Sequence, residues 1–545
     1  MSTSNAPTRR PGPANHVQVF IVGGGPVGLS MAILMQRFGI DFVMVERSPT
    51  TTDHPKARGT WQRTMEIFRQ WGIEDRMRAH GLPDKSDVFA FVESMSGYEY
   101  GRTTPELDLG QTPSWKSILS QDAVEQELIT HARKSKVGRI LFNHEFVGYE
   151  DHGDGVTVTS RDTASGQTQT WQAAYLVGAD GAGSVVRRQA DIEMRGPAML
   201  AVMANEFWQA DLSHIPGTAH TAGYRVCPKD PSVPLNTVLN TNGRDRWLSL
   251  MPVGVERDER TLPRTDAEVV KLARMNTGIP NLEVKVINRS TWRLSRQVAA
   301  TFRKGRVFLV GDAAHRFPPY GGYGMNSGIQ DAHNLAWKLA FVLAGRGGER
   351  LLDSYDSERR PIGESNADFS YRNGLRFIHS DEAFRSGNVD RINFWIKDSD
   401  NHVHSIGQSL GFSYDEGALV ADGTNKPTLR SRYYEPNDRP GSRFPHLWLD
   451  LARRHTTLDW FDQHFVVVVG PKADGWKEAA RRVFDKLGLP VEVRQLDETH
   501  EKDGLQLGQR GAVLVRPDGH VAWRMPWLPA DPDAELGAVF ATLLG

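Results

Sequence analysis

Chemistry in this chain gathers first at Gly23, Gly25 and Gly28, spaced G-x-G-x-x-G, and at Glu46 with Arg47 beside it. Glycines so placed permit a tight turn, let backbone amides approach a pyrophosphate, and let a helix lie close on a strand. Glu46 follows the first glycine at the roughly 20-residue interval at which an acid accepts hydrogen bonds from ribose hydroxyls. The elements needed to position these groups occur in order: a buried strand over Val17–Val22, a helix over Pro26–Phe38 and a second strand from Asp41 to Val45. The stretch therefore reads as a dinucleotide-binding βαβ unit.

Two more strands end in acids. YLVGADGAG, from Tyr175 to Gly183, carries Asp180 and leads to Ser184 and Arg187; the buried strand Arg306–Val310 runs into Gly311-Asp312. A carboxylate at a strand's C-terminal end is placed to accept from sugar-like hydroxyls. The loop PPYGGYGMNSG follows, then a long helix over Ser327–Leu343. His54 lies in a polar loop four residues before Arg58; a side chain that titrates near neutral pH is a candidate general base, with Asp53 second. Tyr224, Trp247, Trp208 and Met251 fall on alternating strands, where Tyr224 and Trp247 are read as pocket-lining aromatics. His315 and His333 read as local or structural, and Cys227 as a small buried residue.

With 545 residues the chain exceeds one core. Its net charge of −1 and lack of a long basic run point to neither nucleic acid nor an anionic membrane. One cysteine excludes an internal disulfide and the cysteine pair of a disulfide reductase. No histidine cluster has metal-site spacing, so no metal is expected. Arg9-Arg10 does not open a signal, because the apolar run that follows is the βαβ strand and helix. A cytoplasmic location is expected.

The chain divides as follows. Residues 1–16 form a disordered tail; 17–82, 117–195 and 286–380 form the nucleotide-binding domain; 83–116 and 196–285 form an inserted antiparallel-sheet substrate domain. Residues 381–443 are an irregular connecting segment, and 444–545 are a separate unit of order β-α-β-β-β-α.

The ordered triple of G-x-G-x-x-G, G-A-D-G at Gly178–Gly181 and G-D at Gly311 resembles the class A FAD-dependent aromatic hydroxylases, the flavoprotein monooxygenase family that includes phenol 2-monooxygenase and 4-hydroxybenzoate hydroxylase. The closest likeness is to larger members with a C-terminal thioredoxin-like domain; here that unit lacks C-x-x-C, so dithiol exchange is impossible there and its expected role is packing or dimerisation. The resemblance implies an α/β fold: a Rossmann-like FAD-binding domain, the inserted substrate domain and the thioredoxin-like domain. It implies non-covalent FAD, with NADH or NADPH and O2 as co-substrates. Asp312 would bind the ribityl hydroxyls, Arg58 and Gln121 the FAD phosphates, and Asp180 would lie near FAD and NAD(P)H. Pro319 would stand beside the isoalloxazine, with the amides of Gly324, Met325 and Asn326 at its N1–C2=O edge.

The implied reaction is oxygen transfer from a C4a-hydroperoxyflavin to a phenolic ring. The alternative is the same flavin chemistry on a polycyclic natural product, by hydroxylation, epoxidation or Baeyer–Villiger oxidation; a non-catalytic flavin-binding protein is a third reading. The W-x-W-x-I-P signature of flavin-dependent halogenases is absent, since Trp247–Pro252 reads W-L-S-L-M-P.

Overall fold

The structure, a computed structural model, describes residues 15–230, 235–254, 265–498 and 505–545. The tail expected over residues 1–16 lies outside these residues as far as position 14, and His16 already opens a strand.

The first sheet is built on that strand, His16–Val22, in which Val19, Phe20 and Ile21 are wholly buried. Its parallel strands are ordered Val307–Leu309, Thr168–Gly178, His16–Val22, Phe42–Glu46 and Arg139–Phe142, and the short Arg303–Lys304 pairs antiparallel outside Val307–Leu309. Both faces of a parallel sheet are covered, which is why these strands are continuous apolar runs without alternation. Val22, Glu46, Gly178 and Leu309 all finish along one edge, where crevices of such sheets hold ligands. A hairpin of His144–Asp151 and Val156–Asp162 attaches to the N-terminal part of Thr168–Gly178.

The second sheet has seven strands, ordered Lys285–Leu294, Ala201–Gln209, Arg246–Gly254, Asn236–Asn240, Gly223–Val226, Phe89–Val92 and Glu99–Arg102. All neighbours are antiparallel except Gly223–Val226 and Phe89–Val92. A boundary expected at residue 286 is corrected: Lys285–Leu294 pairs along Ala201–Gln209 and belongs to this sheet. Its polar, half-exposed sequence hides that membership, as an edge strand's does. One sheet face is closed by the helix Asp266–Thr277, whose Val269 and Ala273 share a core with Trp208, Tyr224 and Trp247.

Helix Tyr323–Leu343 runs beside the nucleotide unit, followed by the 38-residue helix Glu349–Ser386. The stretch 381–443, expected to be irregular throughout, instead begins inside this long helix and continues with Val389–Asp398. Pro361 within the long helix is the reason its extent was not readable, because an interior proline normally ends a helix.

The C-terminal unit is a four-stranded mixed sheet, ordered Val491–Gln495, Phe465–Val469, Ala512–Val515 and Val521–Met525, with helices Asp474–Leu487 and Pro532–Leu544. Its core takes in Trp337 and Phe341 from helix Tyr323–Leu343, the same helix whose other end reaches the cleft described below. Buried ion pairs fix the contact. Arg516 reaches both oxygens of Glu358 at 2.7 and 2.9 Å, and Lys338 Nζ lies 2.9 Å from Glu358. Burial would raise the Glu358 pKa, but Arg516 and Lys338 outweigh it and hold it at about 2. Removing one member of such a group leaves an unpaired buried charge, a loss of about 3–5 kcal/mol.

Candidate active site

A cleft of about 1570 Å³ lies along the C-terminal edge of the first sheet and continues to the open face of the second. At its first end the main chain sets the shape. Gly23 has φ +108, and a Cβ on Gly28 would stand 1.9 Å from the Gly23 carbonyl oxygen, so neither position admits a side chain. Gly25 faces open cleft, with no atom within 4 Å of where its Cβ would be. It precedes helix Pro26–Arg37, which starts with proline and has no side-chain cap, leaving first-turn amides for an anion. Glu46 is held by two amides, Gly24 N at 2.7 Å on Oε2 and Ser48 N at 2.8 Å on Oε1. Arg47 is exposed at the rim.

The two later acids have different roles. Asp180 caps a helix: its carboxylate accepts from Ser184 Oγ at 2.5 Å, Val185 N at 2.6 Å and Val186 N at 3.1 Å. Ser184 in turn accepts from Arg187 N, and the buried Arg187 side chain donates to Ala313 O at 3.2 Å. The D-G-x-x-S-x-x-R element thereby ties the Asp180 turn to the Asp312 turn. Asp312 itself opens to the cleft floor, and among the described residues nothing donates to its carboxylate. Enclosure by surrounding protein raises its pKa, against His315, Arg316 and Lys56, which lower it.

The Asp312 turn is clamped from behind. Asp331 Oδ2 accepts from Gly311 N at 3.1 Å and lies 2.7 Å from His315 Nε2, while Arg359 Nε donates to Oδ1 at 2.8 Å. Burial pushes the Asp331 pKa up, but His315 and Arg359 bring it net below the ordinary value.

Pro319 lines the cleft, and its carbonyl accepts from Gly322 N at 3.0 Å, closing the turn before helix Tyr323–Leu343. That helix has a glycine N-cap and no side-chain cap, so the amides of Tyr323, Gly324 and Met325 are left for a ligand. Asn326 is placed otherwise: its amide opens the intrahelical ladder, and its buried side chain accepts from Trp61 N at 2.9 Å and donates to Gly59 O at 3.1 Å and Gly322 O at 2.7 Å. It braces the loop. Gln121 lines the cleft, accepting from Ala57 N at 3.2 Å and donating to Glu125 at 2.7 Å. Arg58 also lines it, with its guanidinium on the carbonyls of Ala222 and Asn240; burial lowers its pKa to about 9.

The second end of the cleft is made of side chains. Ser290, Asn205, Leu250 and Thr237 stand in register across four adjacent strands. At about 4.8 Å per strand they span roughly 14 Å. Leu239 and Leu248, a cross-strand pair, extend this wall. Rings close the far side: Phe89 and Phe377 each meet His402 edge-on at 5.4 and 5.2 Å, and Phe377 meets Tyr320 at 5.0 Å.

Tyr224 and Trp247, expected to line the pocket, are on the opposite face, in the core under helix Asp266–Thr277. Side chains alternate across a strand, so Leu248 and Leu250 face the cleft and Trp247 cannot. His54 is also displaced from its expected role. It is buried outside the cleft lining, with Nε2 3.3 Å from Ser290 Oγ and its ring 6.1 Å from Phe207. Burial, reinforced by Lys56 and opposed by Asp53 and Asp122, lowers its pKa to about 4. Asp53, by contrast, is exposed on the rim. Sequence reading missed the Leu239–Leu250 wall, Phe377 and His402, which carry no motif.

The residues fit an FAD: an open cradle at Gly25, an acid at Glu46, an unengaged carboxylate at Asp312 and uncapped amides at Tyr323–Met325. The volume exceeds the roughly 300–1,000 Å³ of a pocket for one small ligand, leaving space for a second. Among the described residues there is no group of three or more His, Cys, Asp or Glu that could hold a metal, and no helix long and apolar enough to cross a membrane.

Comparison with known proteins agrees with this geometry. Residues 16–370 match the FAD binding domain family and residues 437–545 the aromatic-ring hydroxylase C-terminal family. The chain is 34% identical to 4-methyl-5-nitrocatechol 5-monooxygenase of Burkholderia sp, over 96% of this chain and 97% of that protein. It is also 34% identical to tetracenomycin A2 monooxygenase-dioxygenase of Streptomyces glaucescens, over 97% of each. The crystal structure of the flavin-dependent monooxygenase PieE, in complex with FAD and substrate, superposes with a TM-score of 0.90 at 32% identity, covering 98% of this chain and 100% of that one. The chain belongs to the class A flavoprotein aromatic hydroxylases, and is an FAD-dependent monooxygenase that uses NAD(P)H and O2.

Proposed function

We propose that this enzyme hydroxylates a phenolic aromatic of two or more fused rings. The observation that carries the reading is the roughly 14 Å wall of Ser290, Asn205, Leu250 and Thr237, which is wider than a single ring requires. Relatives named for a nitrocatechol and for tetracenomycin A2 are equally similar, so likeness alone does not choose between a simple phenol and a larger substrate.

FAD, once reduced by NAD(P)H, supplies O2 activation and the electrophilic oxygen. The protein's part is to bind and orient. Glu46 and Arg47 take the adenosine ribose end, Gln121 and the Gly23–Gly28 turn the phosphates, and Asp312 the ribityl hydroxyls, while Arg58, expected at the phosphates, lies with its guanidinium on the Ala222 and Asn240 carbonyls at the substrate end. Asp180 supports the Asp312 turn through Arg187 and Ala313. Amides of Tyr323–Met325, at a positive helix end, favour an anionic flavin edge beside Pro319. Leu239, Leu248 and Leu250 exclude water from the acceptor ring, and Phe89, Phe377 and His402 hold its plane. We infer that the C-terminal unit, with its β-α-β-β-β-α order and no cysteine, is a thioredoxin-like domain retained for packing.

NADH and NADPH oxidation should be followed against phenol, 2-naphthol and a three-ring hydroxyanthracene. Stimulation that rises with ring number supports the reading; stimulation by phenol alone shows a single-ring enzyme.

A further inference from the structure

His54 is buried outside the cleft lining, whereas another side chain that could accept a phenolic proton lines it. Asp87, two residues before Phe89, lines the cleft with only 6% of its side chain exposed. Its two oxygens are not equivalent. Oδ2 lies 2.6 Å from Lys116 Nζ and accepts from Glu106 N at 3.2 Å. Oδ1 receives no hydrogen bond from any described residue and is not fully enclosed. Because Asp87 lines the cleft and Oδ2 is engaged, Oδ1 is the oxygen left for a donor there.

The surroundings explain how such a group is tolerated. Lys116 is also 2.8 Å from Glu106, and it donates to Val403 O at 2.8 Å. Glu106 is occupied further by Gln62 Nε2 at 3.2 Å and Ile406 N at 2.9 Å. Two carboxylates thus share one ammonium, and only Asp87 presents an oxygen to the cleft. Lys116 also sits 5.4 Å over the Trp61 ring, and Trp61 Nε1 donates to Gly321 O at 2.7 Å. Asp87 is therefore joined through Lys116 and Trp61 to the Pro319–Gly322 loop. Other charged groups at this end are Arg58, over the Phe89 ring at 6.0 Å, Arg225, over the Phe377 ring at 5.8 Å and paired with Asp381, and Arg376, which is paired with Asp398 at 2.8 Å and with Arg58 and Lys116 bears on His402.

We propose that Asp87 is a catalytic residue whose Oδ1 accepts the hydrogen bond, and then the proton, of the substrate's phenolic hydroxyl. This rests on the phenolic reading above. As the ring carbon would bond to the electrophilic oxygen supplied by bound flavin, the O–O bond holding that oxygen would break, its electron pair leaving with the flavin-side oxygen, which would take up a proton from water. The phenolic O–H bond breaks and its electron pair forms the ring C=O. The proton passes to Asp87 Oδ1. When the attacked carbon loses its own hydrogen as a proton to water, the ring regains aromaticity, and Asp87 returns the phenolic proton. Lys116 acts as a positioning residue by holding Oδ2 and turning Oδ1 outward.

The test uses the FAD-loaded enzyme and 4-nitro-1-naphthol, whose neutral and ionised forms differ in colour, titrated by difference absorbance. A nearby carboxylate acceptor holds the bound probe in its neutral form to higher pH than the free probe. Asp87→Asn keeps the shape and leaves Lys116 paired with Glu106, but removes the charge. Its bound probe is expected to lose proton affinity by roughly tenfold or more. Glu106→Gln, equally buried but off the cleft, is expected to change it much less, and Asp87→Ser should reproduce Asp87→Asn. Hydroxylation of 2-naphthol should fall about 100-fold in Asp87→Asn and recover as pH approaches the naphthol's own ionisation. An identical probe titration in wild type and Asp87→Asn would overturn the assignment, as would loss of FAD from both Asp87 variants, which makes the residue a structural support. Failure of any phenol to perturb the wild-type flavin spectrum would instead overturn the phenolic reading.

Discussion

The two ends of the cleft are made of different material. At the cofactor end the main chain sets the surface: Gly23, Gly25 and Gly28 leave no side chain, and the amides of Tyr323–Met325 are the donors. At the substrate end side chains set it, contributed by strands Asn236–Asn240 and Arg246–Gly254, by Phe89, and by Phe377 and His402. A surface made of backbone changes only when the fold gives way. One made of side chains changes one residue at a time, which suits a family whose members share a cofactor and differ in substrate.

The contrast predicts its largest effect at Gly28. Gly28→Ala places a methyl 1.9 Å from a carbonyl oxygen, so the purified protein should carry no FAD by flavin absorbance. Gly25→Ala meets no protein atom, so the FAD-free protein should melt as wild type does, while FAD affinity falls. Equal FAD content in both variants would break the distinction.

Asp312→Asn should weaken FAD by roughly 10- to 100-fold in an equilibrium titration, since a hydrogen bond to a charged group contributes about 1.5–3 kcal/mol. Asp180→Ala should act instead on stability, by about 0.5–2 kcal/mol in denaturant melts, because that carboxylate caps a helix. At the substrate end, Leu250→Trp should lower kcat/KM for two-ring phenols relative to phenol by at least about tenfold, whereas Tyr224→Phe, on the covered face, should leave the ratio unchanged.

The smallest effect concerns pH. His54 has a folded pKa of about 4, below the roughly 6.5 of an unfolded histidine, so below pH 6.5 the unfolded chain takes up the proton first. The stability it contributes is present above pH 6.5 and is lost as pH falls towards 4. His446 and His520, also lowered to about 4 by burial, act in the same direction. His54→Gln should therefore make acid destabilisation shallower and leave the rate of hydroxylation without a changed inflection near neutral pH.

The cofactor end was legible because its needs act on residue type at fixed spacing: a turn at φ +108 and a 1.9 Å approach require glycine, and no distant partner has to be known. The substrate end depends on which way a strand faces. Trp247 and Leu248 are neighbours in sequence, yet one lies in the core and the other on the cleft, and apolar residues on both faces conceal the alternation. His54 has the chemistry of a base, but its meaning was set by Ser290 and Phe207, brought to it by a strand far along the chain. Asp87 carried no signal at all, since its importance lies in Lys116 occupying only one of its oxygens.

We propose that one cleft holds FAD against the first sheet and an aromatic acceptor against the second. The most direct test is turnover of 2-naphthol under ¹⁸O2 with NAD(P)H, with the product's mass measured. The expected product is a dihydroxynaphthalene carrying one ¹⁸O atom, formed together with naphthol-stimulated NAD(P)H consumption. A protein that retains FAD but incorporates no ¹⁸O into any phenol offered, or one that retains no FAD, would contradict it.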